Sequence, residues 1–89
     1  MEEITKYFTI RYNTKLILHL IVYVTFTIIY SNLPDDDLII NSDLSKQYNR
    51  LYFSAITHTT IGYGDISPKS SRCKLITMIH AFIVLYLYL

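Results

Sequence analysis

Eighty-nine residues carrying a formal net charge of +1 form one small unit, and with 52% hydrophobic residues the chain is too short to bury its apolar surface in a core of its own. Lipid, further copies of the chain, or both must cover that surface. The near-neutral charge excludes a basic field for nucleic acid, and a single cysteine, Cys73, excludes an intrachain disulfide and reads as a small buried apolar residue.

Residues 1–14 place Ile4, Tyr7, Phe8 and Tyr12 on one helical face, with Glu2, Glu3 and Lys6 elsewhere. Arg11 and Lys15 border that face, from which long basic side chains reach headgroups. The pattern predicts a helix lying in the membrane interface; the alternative is a frayed terminal tail. Glu2 and Glu3 stand where a cleavable signal peptide would carry basic residues.

Residues 16–31 contain no Asp, Glu, Lys or Arg. As a helix they reach about 24 Å, slightly less than a bilayer core of about 30 Å. Lys15 and Tyr30 are the expected interface anchors. Thr25 and Thr27 are expected to bond back to helix carbonyls. His19, with no partner visible in the sequence, reads as a neutral hydrogen-bonded histidine rather than a pH sensor.

Pro34 ends this span, and Asp35, Asp36, Asp37, Asn41, Ser42 and Asp43 make residues 32–47 a polar turret outside the membrane. Its carboxylates either concentrate cations or are simply solvated. Residues 48–59 return to apolar character with Leu51, Tyr52, Phe53, Ala55 and Ile56. They are too few to cross a bilayer, which predicts a re-entrant helix. Its C-terminal carbonyls, near His58 and Thr59, carry partial negative charge and favour a cation.

Residues 60–64 read Thr60-Ile61-Gly62-Tyr63-Gly64, followed by Asp65. Glycine reaches left-handed backbone angles without steric cost. Alternating glycine with ordinary residues turns successive carbonyls to one side of an extended strand. Several such strands around an axis give rings of oxygens able to replace the water shell of a bare cation. The competing readings are a tight turn and a nucleotide loop, which lacks its third glycine and its preceding strand.

Residues 66–72 form a second polar loop, and residues 75–89 a second span of about 22 Å. His80 inside it is either functional or bonded to a neighbouring helix. Neither span holds Lys or Arg, and the second has no Gly or Pro hinge. Only shallow voltage dependence is therefore expected. Leu85 and Tyr88 would narrow an inner mouth if they face the axis.

The segment 60–64 resembles a potassium-channel selectivity filter with Ile61 in place of the usual valine. The whole order resembles the miniature potassium channels encoded by algal viruses. The likeness runs through Leu18-His19-Leu20, Ile29-Tyr30 before Pro34, Leu51-Tyr52-Phe53, Thr57-His58-Thr59-Thr60-Ile61-Gly62-Tyr63-Gly64-Asp65, Pro68-Lys69, Lys74-Leu75 and Ile79-His80. It implies an all-α membrane protein: two transmembrane helices, a re-entrant pore helix and a filter, assembled as a homotetramer in a virion or host membrane. It further implies cytoplasmic termini and passage of potassium ions along the carbonyls of Thr60, Ile61, Gly62 and Tyr63. The Thr60 hydroxyl would complete the innermost site, with Thr59 and Asp65 flanking the filter.

The turret departs from the family pattern, with Asp35 to Asp37 where relatives often carry glycines. Lys6, Arg11 and Lys15 against Lys46, Arg50, Lys69, Arg72 and Lys74 oppose a simple positive-inside count. No nucleophile–base pair or ligand cluster suggests an enzyme, a metal centre or a small-molecule substrate. The rival readings are a poorly selective cation pore, a non-conducting membrane subunit that modifies other channels, and a small soluble helical protein.

Overall fold

Three helices follow from the absence and placement of helix breakers. The computed structural model describes residues 2–89, and the side chains of all of these except 2 and 7–12. Helix α1 runs Glu2–Ser31, a stretch free of Gly and Pro, and stops just before Pro34. Thr25 and Thr27 donate to the carbonyls of Ile21 and Tyr23 at 2.7 and 2.8 Å, so neither hydroxyl is left bare in an apolar setting. The single turn of 3-10 helix at Asp35–Asp37 leads into strand β1, Leu38–Ile40; helix α2 is Lys46–His58, strand β2 is Ile66–Pro68, and helix α3 is Ser71–Tyr88.

Three expectations change. Residues 1–14 do not form a separate helix, because nothing interrupts α1 at residue 15. The proposed apolar face of Tyr7, Phe8 and Tyr12, and the Arg11 beside it, lie outside the described side chains. The turret 32–47 and the loop 66–72 are not independent polar loops. Residues 38–40 and 66–68 pair antiparallel, Leu38 opposite Pro68 and Ile40 opposite Ile66. The ribbon makes the fold all-helical but for these six residues. Alternation explains it: Leu38 and Ile66 are buried while Ile39 between them is exposed. The second span starts earlier than residue 75, at Ser71, because the Ser70 hydroxyl accepts from Cys73 N at 3.1 Å and caps the helix. Eighteen residues then reach about 27 Å, close to the bilayer core.

Two carboxylates of the turret are engaged. Asp35 meets Arg50 and Asp37 meets Arg72, each at 2.7 Å. The Asp37 carbonyl also accepts from Lys69 N and Ser70 N at 2.8 and 3.1 Å. Among the described residues a core lies beneath this ribbon, where Phe26, Tyr30, Leu33, Leu38, Phe53, Ile56, Ile66 and Cys73 pack together. Away from it the helices are bare. Leu16, Ile17, Leu20, Ile21, Val24 and Ile28 of α1, and Leu75, Met78, Phe82 and Leu85 of α3, are all more than half exposed. Asn13–Ser31 and Ser71–Tyr88 are each long and apolar enough to cross a membrane. Apolar faces of this extent require lipid or another protein surface.

Candidate ion filter and its supports

The segment 60–64 carries no regular secondary structure, and its backbone alternates. Thr60, Gly62 and Gly64 have φ of 66°, 58° and 86°, whereas Ile61 and Tyr63 between them keep negative φ. An alternation in the sign of φ is the backbone pattern that allows consecutive carbonyls to turn toward one side. The side chains of Ile61 and Tyr63 are 54% and 70% exposed. The two glycines were legible as left-handed positions. Thr60 was not: a β-branched residue at positive φ is a steric outlier costing about 1–2 kcal/mol. The available signal was the two-residue period read backward from Gly64 through Gly62.

Helix α2 holds the start of this strand. Gly62 N donates to the Ile56 carbonyl at 3.0 Å, and Thr60 N to that of Thr57 at 3.2 Å. The Thr59 hydroxyl turns back to the Ala55 carbonyl at 2.7 Å. A cavity of about 310 Å³, bordered by Phe53, Thr60, Gly62, Gly64 and Thr77 among others, lies against the strand. At its far end the Asp65 carbonyl accepts from Asn41 N at 2.8 Å, tying the strand to the turret. The Asp65 carboxylate, close to the Tyr52 phenol, pushes it above its ordinary range. The sequence named Tyr52 only as an apolar residue of the re-entrant helix and of the family likeness, since nothing local links it to a residue thirteen positions later.

Helix α2 is in turn fastened to α1. The Tyr23 hydroxyl donates to the Leu51 carbonyl at 3.0 Å and the Ser54 hydroxyl to the Tyr23 carbonyl at 3.3 Å. Arg50 is 1% exposed, and its Nη2 serves both Asp35 and the Leu33 carbonyl.

The histidines are not solitary. His19 Nδ1 lies 3.0 Å from His58 Nε2, His58 Nδ1 lies 3.2 Å from His80 Nε2, and His80 Nδ1 lies 2.9 Å from the Tyr30 hydroxyl. The reading of His19 as a hydrogen-bonded histidine holds, with His58 as the partner that the sequence did not show, and so does that of His80 as bonded to a neighbouring helix. Phe26 stacks on His80 with ring centroids 4.1 Å apart. Burial, then the neighbouring His19, hold the His58 imidazole below its ordinary range. Among the described residues no three metal-ligating side chains converge; the three rings form a line. At the opposite end of the spans Tyr88 packs on His19 with ring centroids 4.8 Å apart, while Leu85 on the preceding turn is exposed.

Comparison with known proteins gives a consistent family. Residues 17–89 match the family model described as "Ion channel". The chain is 32% identical over 77 residues to the potassium channel protein kcv of Paramecium bursaria Chlorella virus 1, covering 81% of this chain and 82% of that one. It is 36% identical over 61 residues to two-pore potassium channel 4 of Arabidopsis thaliana, covering 67% of this chain and 21% of that one. A hyperpolarization-activated voltage-gated potassium channel of Methanocaldococcus jannaschii is 43% identical over 37 residues, 42% of this chain and 18% of its own.

Proposed function

The chain belongs to the ion-channel family as a miniature potassium channel of the viral kind, and from that premise we propose that four copies set their 60–64 strands around one axis to pass potassium ions passively. One strand offers too few oxygens to surround a cation, so assembly is required. The observation that carries this reading is the alternating backbone at Thr60, Gly62 and Gly64. It sends the carbonyls of Thr60, Ile61, Gly62 and Tyr63 to one side, where they ligate the ion in succession. The side chains of Ile61 and Tyr63 then face neighbouring copies, which accounts for their exposure in the single chain.

In this arrangement α2 is the pore helix, its C-terminal carbonyls aimed at the ion path with roughly half a negative charge. The Thr60 hydroxyl completes the innermost site, and Asp65 and the ribbon frame the outer mouth. Both termini are cytoplasmic, and α1 and α3 cross the bilayer. Leu85 narrows the inner mouth, with Tyr88 held beside it by His19.

The test is purified protein in a planar bilayer under a K⁺/Na⁺ gradient. Unitary currents reversing near the potassium potential are expected. Currents reversing near zero would make the assembly an unselective cation pore and overturn the carbonyl arrangement.

A further inference from the structure

His58 closes the last turn of α2 and is buried there. Among the described residues of α2 it alone bonds both other helices. Its Nε2 lies 3.0 Å from His19 Nδ1 of α1, and its Nδ1 lies 3.2 Å from His80 Nε2 of α3. A neutral imidazole donates from one ring nitrogen and accepts at the other. With the three rings neutral, each N···N contact holds one proton. His58 therefore donates toward one helix and accepts from the other, and this is true for either direction of the protons. Burial, then the neighbouring His19, hold His58 below its ordinary range and so keep it in that neutral form.

Both partners are themselves fixed. Phe26 stacks on the His80 ring with centroids 4.1 Å apart, and the Tyr30 hydroxyl lies 2.9 Å from His80 Nδ1. Tyr88 packs on His19 with ring centroids 4.8 Å apart. Earlier in α2 the bonds to the spanning helices run to α1 alone, from the Tyr23 hydroxyl to the Leu51 carbonyl and from the Ser54 hydroxyl to the Tyr23 carbonyl. Those bonds fix α2 along α1; at His58 a hydrogen bond also fixes it against α3. The turn that His58 closes carries the strand. The carbonyls of Ile56 and Thr57, the two residues before it, accept from Gly62 N and Thr60 N at 3.0 and 3.2 Å. A displacement of this turn therefore passes directly into residues 60–64. A ligating constellation must be held to within about 0.5 Å, by side chains whose own orientation is fixed by hydrogen bonds behind them.

We propose that His58 is a positioning residue for ion selection: its two ring nitrogens tie the last turn of α2 to α1 and α3 and thereby set how far the carbonyls of Thr60 to Tyr63 stand from the ion. The role in selection rests on the potassium-channel reading; the two ties do not. Shape alone does not fulfil this role. A phenyl ring at position 58 fills much the same space, but it leaves His19 Nδ1 and His80 Nε2 facing no partner in an apolar interior, where an unmet polar group is costly. Packing alone then holds the turn from which the strand hangs.

Two measurements test it. The first is His58→Phe in planar bilayers under a K⁺/Na⁺ gradient. The substitution leaves the charge at the end of α2 unaltered and the bonds of Tyr23 and Ser54 in place, so the copies should still assemble. The K⁺-over-Na⁺ permeability ratio, read from the reversal potential, should fall about tenfold, the scale of one hydrogen bond. His19→Phe cuts one of the two ties and should lower the ratio by less. The double variant should fall no further than His58→Phe, because removal of the His58 nitrogens already cuts both ties. An unchanged ratio in His58→Phe overturns the proposal, and so do independent effects that multiply in the double variant. Wild-type currents that do not select potassium would strike the channel reading instead. The second measurement is ¹⁵N NMR of the histidine rings of the wild-type protein in lipid nanodiscs at neutral pH, which needs neither a variant nor conduction. His58 should show one protonated and one bare nitrogen, each coupled through a hydrogen bond to a different neighbouring ring. A doubly protonated His58, or a ring nitrogen coupled to neither His19 nor His80, overturns the proposal even where His58→Phe fails to assemble.

Discussion

The outer end of the molecule and the 60–64 strand stand next to each other and solve opposite problems. At the outer end the chain supplies its own partners. Arg50 reaches Asp35 and the Leu33 carbonyl, Arg72 reaches Asp37, and the ribbon closes over Phe26, Tyr30 and Phe53. The strand does the reverse. It holds Thr60 at positive φ and leaves Ile61 and Tyr63 uncovered. A region that faces water must satisfy itself, since exposed loops are otherwise free to move. A region whose oxygens must meet an ion cannot bond those oxygens to its own chain. Under the proposed function, the self-sufficient end is the frame and the strand is the part that other copies would complete.

The largest effect is expected where that incompleteness depends on one backbone angle. Gly62→Ala adds a Cβ that meets nothing within 4 Å in the single chain, so its cost lies in the φ of +58°. Strain of about 1–2 kcal/mol per chain, repeated in four copies, should flatten the alternation and abolish potassium selectivity. Reversal potentials under a K⁺/Na⁺ gradient check it, and an unchanged permeability ratio would place the ion path elsewhere.

The frame should break by a different rule. Arg50 is buried, yet its Nε and Nη1 have no partner, and Asp35 is largely exposed. The side chain matters there as filling more than as charge. Arg50→Ala should cost about 2–4 kcal/mol, as other large-to-small core changes do. Arg50→Met, of similar length and apolar, should cost less than about 1 kcal/mol. Thermal unfolding of the two variants in detergent separates them; equal losses would mean that the ion pair carries the frame.

A smaller change sharpens the strand side. Thr60→Ser keeps the hydroxyl assigned to the innermost site, whereas Thr60→Val removes it at similar shape. Valine should weaken block by divalent cations from the inner side about tenfold, the scale of one contact to a charge worth about 1.5 kcal/mol. Serine should leave block nearly unchanged, and equal behaviour of the two would remove the hydroxyl from the ion path. The smallest effect belongs to Arg72→Gln. Its guanidinium is 60% exposed although Asp37 is buried, and an exposed pair is worth less than about 1 kcal/mol. Little change in melting temperature is expected, and a large one would make this pair a second keystone of the ribbon.

Local chemistry in the sequence was enough for much of this. The absence of charge in residues 16–31, Pro34 beyond the first span, and the Gly62 and Gly64 period each act within a few residues. Local forces decide whether a segment is helical, apolar or able to turn its carbonyls. Chain ends and boundaries were less legible. Ser70 is one of several serines, and only its bond to Cys73 N shows that α3 begins four residues before its apolar run.

The sequence by itself determined the three helices, the membrane character and the one strand whose glycines can line an ion path, because periodicity, hydropathy and backbone freedom are properties of neighbouring residues. Tertiary structure alone decided the partners of distant residues. It joined β1 to β2 across twenty-five intervening residues, gave Asp35 and Asp37 to arginines, and forced Thr60 to positive φ. It also brought His19, His58 and His80 into one line, although each looks like an isolated histidine in its own segment. Spacings of 39 and 22 residues between bonded rings carry no local signal. Only the packing of α1, α2 and α3 against one another sets them within hydrogen-bond reach.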